Sequence, residues 1–272
     1  MPNYWEAGAV MPHAMQDREG VQKQYAGKDG LATRISLHEK YSMNKQGFGS
    51  WIAAHYRIPA GGRVLELGCG TGYMWKDHWD LLKDGVELVL SDFSPAFVAE
   101  AAQASEGRPQ VRTEQIDIQD IPYSDATFDV VIANMMLYHV PDIPAGLAQV
   151  RRVLRPDGAF YCATFGENGL NRYLNEALSS FGINHNITGP FTLQSGGEIL
   201  RPFFSEVKRD LYPDALAITD VEDLLDYVFS MMSIGIGEGL DRRALRALFE
   251  ARKDADGVLR IPKEYGMFIC RR

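Results

Sequence analysis

The chain has 272 residues, of which 46% are hydrophobic, and it carries a formal net charge of −8 at pH 7. This length and hydrophobic content are enough for one sizeable α/β core with a modest insertion. The acidic balance argues against nucleic acid and anionic membrane surfaces as partners, because both are bound largely through Lys and Arg.

The N-terminal segment precedes the first predicted strand. Residues 1 to about 28 show no sustained hydrophobic period and are predicted to form an arm that orders over a ligand. Residues 31–57 have helical spacing, and Gly47 and Gly49 interrupt it, which predicts two helices or a bend. We therefore predict an N-terminal arm and helices over 1–58 and a main domain over 59–272.

A glycine-rich turn follows the first predicted strand. The apolar pair Val64-Leu65 leads into Glu66-Leu67-Gly68-Cys69-Gly70-Thr71-Gly72, a pattern typical of a strand, a tight turn and the start of a helix. Glycine lets the backbone bend sharply and lets a ligand approach the main chain. Open α/β sheets hold nucleotide-like ligands beyond the carboxyl ends of their strands at turns of this kind.

The spacing of the turn disfavours phosphate-bearing ligands. The dinucleotide fingerprint would place a third glycine at position 73, which is Tyr73. The phosphate-loop pattern needs Lys followed by Ser or Thr, and neither follows Gly72. The carboxylate of Glu66 would repel a pyrophosphate, whereas it suits a ligand that carries an ammonium group.

Residues 66–72 match at every position the acid-apolar-Gly-x-Gly-x-Gly motif of the class I S-adenosylmethionine-dependent methyltransferases, and the chain resembles the small-molecule members of that family. The resemblance implies a doubly wound, seven-stranded mixed sheet of the Rossmann-like methyltransferase fold. It also implies an N-terminal helical arm and a helical insertion before the last strand, at about 219–255. The implied cofactor is S-adenosyl-L-methionine, which leaves as S-adenosyl-L-homocysteine, with Glu66, Gly68, Cys69 and Gly70 in its site.

Two later strands carry further cofactor residues by resemblance. The run 86–90 ends near Asp92 and Phe93, for which the resemblance implies ribose binding and packing on the adenine. Alternatively, Asp92 or Ser94 only caps the helix that begins near Pro95. After a third strand over 111–118, Asp117 and Ile118 resemble the family's contacts to the adenine amine and ring face.

The near-continuous apolar run 128–134 predicts a fourth strand buried on both faces. The resemblance places Asn134, at its end, near the methionine part of the cofactor. His139 follows, where an acceptor would meet the transferred methyl, so it is a candidate general base or a residue that only shapes the pocket. A turn over 155–158 and a fifth strand over 159–164 complete this part.

Four residues are assigned to the substrate pocket: Tyr25, Tyr41, Met135 and Tyr138. For Tyr25, core packing is the alternative. Beyond residue 165, a helix is predicted over 170–181 and strands over 206–211 and 267–270. Asp220 reads as the N-terminal cap of a helix between these strands, and a second helix is predicted from Asp241 to about Lys253.

The three cysteines, Cys69, Cys162 and Cys270, lack metal-ligand or Cys-x-x-Cys spacing, which predicts reduced thiols and no metal site. Since no membrane span or secretory signal is visible, we expect a cytoplasmic protein. We expect methyl transfer to a small organic acceptor, driven mainly by proximity and orientation. Two alternatives stay open: a nicotinamide-dependent oxidoreductase, and a non-catalytic ligand-binding protein of the same fold.

Overall fold

The structure is a computed structural model that describes residues 28–183, 189–231 and 239–272. The predicted arm, including Tyr25, lies outside the described residues. The α-helices of the described parts are α1 (Lys28–Tyr41), α2 (Phe48–Ala53), α3 (Pro95–Ala104), α4 (Ile143–Val153), α5 (Leu170–Ser179), α6 (Gly196–Leu200), α7 (Val221–Ser230) and α8 (Arg242–Ala251). Short 3₁₀ helices span Tyr73–Asp77, Trp79–Leu82 and Leu137–His139.

The strands form one seven-stranded sheet. They are β1 (Arg63–Leu67), β2 (Glu87–Asp92), β3 (Val111–Gln115), β4 (Phe128–Ile132), β5 (Leu154–Phe165), β6 (Glu206–Ile218) and β7 (Leu259–Arg271). Their order is β3-β2-β1-β4-β5-β7-β6, and β7 runs antiparallel to β5 whereas β1 to β5 are parallel. The predicted fold class, a mixed α/β sheet of the Rossmann-like methyltransferase type, is confirmed. Since the strand order reverses between β1 and β4, ligands are expected at the carboxyl ends of these two strands.

The described chain divides into two compact units. The larger unit comprises Gln46–Gly166, Pro190–Tyr212 and Tyr265–Arg272, and it therefore includes α2, whereas the sequence-based boundary followed residue 58. Residues of its strands alternate between two buried apolar clusters: Leu65 and Leu67 belong to one, and Val64 belongs to the other. This alternation is expected of a sheet covered on both faces.

The smaller unit comprises residues up to Lys45, Glu167–Gly189 and Pro213–Glu264. Its buried apolar side chains include Leu174 of α5, Leu224 of α7 and Phe249 of α8. The predicted Asp220 cap is observed in this unit, and Asp241, where the second helix was predicted to begin, is an N-terminal cap as well. The carboxylate of Asp220 accepts a hydrogen bond from the Glu222 N–H (3.0 Å), and that of Asp241 accepts one from the Arg243 N–H (2.8 Å).

Two local predictions differ from the structure. The helix after the glycine turn is a 3₁₀ helix, in which the Trp75 N–H donates to the Gly72 carbonyl three residues back (3.0 Å). The turn predicted over 155–158 is a bulge within β5, because the pairing of β4 with β5 advances from Phe128–Leu154 to Val130–Ala159. An ion pair between the Arg155 guanidinium and the Asp129 carboxylate (2.6 Å) holds this bulge.

Candidate functional site

The glycine turn lies at the carboxyl end of β1, in the larger unit. Gly68 has φ of 68°, and a Cβ at this position would lie 2.8 Å from the Met136 side chain, so only glycine fits there. Gly70 also has positive φ (55°), but among the described residues, its chain neighbours apart, no atom lies within 4 Å of the position a Cβ would take. The turn is therefore packed against the protein at Gly68 and open at Gly70, where a ligand can approach the backbone.

Glu66 is a buried carboxyl group beneath this turn, with only 4% of its surface exposed. The Trp75 indole N–H donates a hydrogen bond to it. Burial raises the pKa of Glu66 to about 7, the Trp75 hydrogen bond opposes that rise, and the Asp92 charge adds to it. In the part of the chain that the structure describes, no cationic side chain pairs with Glu66. A bound cation would therefore supply a charge partner that the described protein lacks.

Asp92, at the end of β2, ties the turn to the neighbouring strand. Its carboxylate accepts hydrogen bonds from the backbone N–H groups of Gly70 (2.9 Å) and Ser94 (2.8 Å). The predicted alternative, in which Asp92 or Ser94 only caps the next helix, is not observed: Ser94 is the N-cap residue of α3 without a side-chain bond to the helix, and Asp92 binds the N–H of Ser94 itself. The Phe93 N–H also interacts with this carboxylate. A carboxylate has about four acceptor positions, so acceptor capacity remains for a ligand hydroxyl. The partly exposed Phe93 stands beside it, and the Gln115 side-chain amide donates to its carbonyl (3.0 Å).

Asp117 and Ile118 follow β3. The Asp117 carboxylate accepts a hydrogen bond from the Gln119 N–H (2.9 Å), which closes a tight turn. Ile118 is buried in the core of the larger unit and packs under α4, 3.3 Å from where a Cβ on Gly146 would lie. The roles of both residues toward adenine stay predictions.

Asn134 lies two residues after β4, and both polar groups of its side-chain amide form hydrogen bonds. Its side-chain NH₂ donates to the Tyr56 hydroxyl (2.6 Å), and its side-chain oxygen accepts from the Ala163 N–H (3.1 Å). Asn134 therefore links the end of β4 to β5 and to Tyr56, and its contact with the cofactor stays a prediction.

The loop that follows carries the other candidates near the sheet edge. Met135 has φ of 54°, which is strained for a non-glycine residue, and its N–H donates to the Ala163 carbonyl (2.8 Å). The Tyr138 ring packs between Phe165 (4.8 Å between ring centroids) and His139 (4.5 Å). His139 is partly exposed at the end of the 3₁₀ helix Leu137–His139. The structure thus brings these three candidates together beyond β4.

Two other predicted residues have different surroundings. Tyr41 belongs to the smaller unit, where it is 5% exposed and its hydroxyl donates to the Asp223 carboxylate. Its pocket role stays a prediction. Cys69 lies in the turn, its N–H donates to the Ser91 carbonyl (2.8 Å), and burial raises the pKa of its thiol, which disfavours a reactive thiolate.

Sequence reasoning missed two side chains of the site, Trp75 and Tyr56. Trp75 lies soon after the glycine turn, but no sequence pattern indicates that its indole meets Glu66. Tyr56 contacts a residue 78 positions away, so local periodicity carries no signal for it. Within the described ranges, no cluster of three or more His, Cys, Asp or Glu residues is arranged to bind a metal ion. No described helix combines the length and the apolar character that a bilayer crossing requires.

Comparison with known proteins finds a known domain over part of the chain. A family model described as "Methyltransferase domain" matches residues 65–162, which include the glycine turn, Asp92 and Asn134. The solved structure of the YcgJ protein from Bacillus subtilis superposes with a TM-score of 0.56 at 17% identity, and the match covers 82% of this chain and 98% of that one. This likeness concerns the fold.

Two curated relatives match the same region. The human protein named mitochondrial arginine-hydroxylase NDUFAF5 is 31% identical over 169 residues, which cover 60% of this chain and 46% of the relative. A demethylmenaquinone methyltransferase of Beutenbergia cavernae is 33% identical over 158 residues, which cover 58% of this chain and 62% of the relative. The chain thus spans less than two thirds of the length of either relative.

Proposed function

Because the chain belongs to the class I S-adenosylmethionine-dependent methyltransferase family, we propose that it binds S-adenosylmethionine at the carboxyl edge of its sheet and transfers the methyl group to a small organic acceptor. The observation that carries this proposal is Glu66, a buried carboxyl that has no cationic partner among the described residues. A donor with an ammonium group and no phosphate fits that carboxyl.

The residues present fit the donor in three places. Glu66 would accept hydrogen bonds from its ammonium group, and the open side of Gly70 would admit it against the backbone. Asp92 keeps acceptor capacity for the ribose hydroxyls after binding backbone N–H groups such as those of Gly70 and Ser94. Phe93, partly exposed beside Asp92, would pack on the adenine.

When bound, the donor supplies a methyl group made electrophilic by its sulfonium. The protein's part is therefore to hold the acceptor in line and to exclude water, and orientation of this kind can lower a barrier by roughly 7–11 kcal/mol. His139, partly exposed beyond β4, is the candidate to take a proton from the acceptor, with Met135 and Tyr138 beside it.

Calorimetric titration with S-adenosylhomocysteine tests the binding step. We expect saturable binding to the wild-type protein and a severe loss in Asp92→Ala, which removes the ribose acceptor and the anchor of the Gly70 N–H. Asp125→Ala is the matched control, because Asp125 is an exposed aspartate that forms a surface ion pair with Arg152 (3.0 Å). Wild-type protein that binds NADH but not S-adenosylhomocysteine would instead support the oxidoreductase alternative.

A second candidate activity comes from the human relative, whose name describes arginine hydroxylation. Incubating the protein with S-adenosylmethionine, O₂, a reductant and a panel of small acceptors and arginine peptides separates the two activities by product mass. Methyl transfer adds the mass of one CH₂ and forms S-adenosylhomocysteine. Hydroxylation adds one oxygen atom from O₂, whose other atom leaves as water at the expense of the reductant, and it forms no S-adenosylhomocysteine. Saturable binding without any product would support the non-catalytic alternative.

A further inference from the structure

Tyr56 is a buried residue of the larger unit, in the segment between α2 and β1, and 4% of its surface is exposed. Its ring packs edge-on against Tyr161 of β5, with 5.1 Å between the ring centroids. Its hydroxyl meets the Asn134 side-chain NH₂ at 2.6 Å. The position of the hydroxyl is thus fixed by a ring contact on one side and a hydrogen bond on the other.

The direction of that hydrogen bond matters. The Asn134 NH₂ group can only donate, so the Tyr56 oxygen accepts and the hydroxyl proton must point elsewhere. Across residues 28–183, 189–231 and 239–272, the Tyr56 hydroxyl makes no second hydrogen bond. A buried donor left without an acceptor costs free energy, and a ligand oxygen at this point would recover it.

Glu66 lies on the same face of the sheet. It pairs with Ile132 of β4, and Ile132 pairs with Tyr161 of β5, so the three residues form one row across adjacent strands. Paired residues of neighbouring strands direct their side chains to the same face. Tyr56 packs on Tyr161 in this row, and its hydroxyl meets Asn134 just beyond the end of β4. Burial, and after it the charge of Glu66, raises the pKa of the Tyr56 hydroxyl.

A hydroxyl donor beside a carboxylate acceptor matches the two charged groups of an α-amino acid. We propose that Tyr56 is a donor-specificity residue, which donates its hydroxyl proton to the carboxylate at the amino-acid end of S-adenosylmethionine while Glu66 accepts from the ammonium. Asn134 is then a positioning residue that acts through Tyr56. This inference rests on the proposed function, since it concerns the same donor.

Two nucleosides test it. S-adenosylhomocysteine carries the amino-acid end, whereas 5′-methylthioadenosine keeps the nucleoside and the thioether but lacks that end. In calorimetric titrations, we expect Tyr56→Phe to raise the Kd of S-adenosylhomocysteine about tenfold or more, as for a lost hydrogen bond to a charged group. The Kd of 5′-methylthioadenosine should change by less than about twofold, because it makes no such bond.

Tyr123→Phe is the matched control. Like Tyr56→Phe, this substitution removes a hydrogen-bonded tyrosine hydroxyl, which here donates to the Glu114 carboxylate (2.7 Å). The Tyr123 ring packs on Phe128, at the opposite end of β4 from Asn134. We expect it to leave both Kd values unchanged. If Tyr56→Phe does not fold, Asn134→Ala replaces it as the test. This substitution removes the hydrogen bond that positions the Tyr56 hydroxyl, so it should weaken the binding of S-adenosylhomocysteine more than that of 5′-methylthioadenosine.

Equal weakening of both nucleosides in Tyr56→Phe, or no weakening of either, would overturn the assignment of Tyr56 and leave the proposed function standing. Wild-type protein that binds neither nucleoside would overturn both. The two failures are therefore distinguishable in one set of titrations.

Discussion

Replacing Glu66 by Gln tests the electrostatics of the site most directly. The amide has nearly the same size as the carboxyl and still offers an oxygen to the Trp75 indole N–H, but it cannot ionise. The substitution therefore removes one property of the site, the charge, and leaves the packing.

The size of the effect follows from the pKa of Glu66, which burial raises from 4.5 to about 7 in the folded protein. Between these values the folded state binds more protons than the unfolded state, so stability falls as pH rises from about 4.5 and levels off above 7. At 1.36 kcal/mol per pKa unit, the carboxyl makes the wild-type protein about 3 kcal/mol less stable at high pH than at low pH. About 2 kcal/mol of this difference develops between roughly pH 5.5 and 8.5.

Urea unfolding of wild-type protein and Glu66→Gln at these two pH values measures the effect. Between the two pH values, the unfolding free energy of the variant should rise by about 2 kcal/mol relative to that of the wild-type protein. Glu106→Gln, which neutralises an exposed carboxylate after α3, is the control and should leave the difference between the two pH values unchanged. Calorimetric titration with S-adenosylhomocysteine over the same pH range measures the ligand side of the effect. The affinity of the wild-type protein should fall below pH 7, as Glu66 becomes protonated, and Glu66→Gln should bind weakly at every pH.

A parallel pH dependence of stability in wild-type protein and Glu66→Gln would refute the claim that Glu66 is a buried carboxyl with a raised pKa. Unchanged nucleoside affinity in Glu66→Gln would refute its role toward the ammonium group, whatever the stability curves show.

Two further predictions concern the glycine turn and the smaller unit. Gly70→Ala and Gly107→Ala both place a side chain at positive φ (55° and 78°), and in the described parts of the chain no atom except those of the adjacent residues lies within 4 Å of the new Cβ. Each substitution should therefore cost about 1 kcal/mol in unfolding free energy. Calorimetry should show lost S-adenosylhomocysteine affinity only for Gly70→Ala. Equal affinities would mean that the open side of Gly70 is not the ligand side. In the smaller unit, Lys263→Met should lower the unfolding free energy by about 3–5 kcal/mol, because it leaves the fully buried Asp214 carboxylate, 3.0 Å from the Lys263 ammonium, without its charge partner. Denaturant unfolding should show part of this stability restored by adding Asp214→Asn, and no recovery would contradict the ion-pair explanation.

Structural features whose interacting groups lie within a few residues of each other in the sequence could be predicted from it. The strand and glycine turn at 64–72 depend on backbone torsions and on neighbouring side chains, so their pattern predicted the local structure and carried the resemblance that implied the fold. The Asp220 carboxylate bonds to an N–H two residues away, and this predicted cap is observed. The near-continuous apolar run 128–134 predicted a buried strand for the same local reason, and β4 is that strand.

Contacts between distant positions were decided by the tertiary structure alone. Tyr56 and Asn134 lie 78 residues apart, and their hydrogen bond exists because Tyr56 packs on Tyr161 beside the end of β4. The indole of Trp75 reaches Glu66 because the chain winds as a 3₁₀ helix after Gly72, where the sequence had predicted only a helix. The residues after Leu154 form a bulge where the sequence predicted a turn, and Arg155 in this bulge pairs with Asp129 of β4. Local sequence sets backbone preferences, but a side chain's partner depends on which strands and helices packing brings beside it.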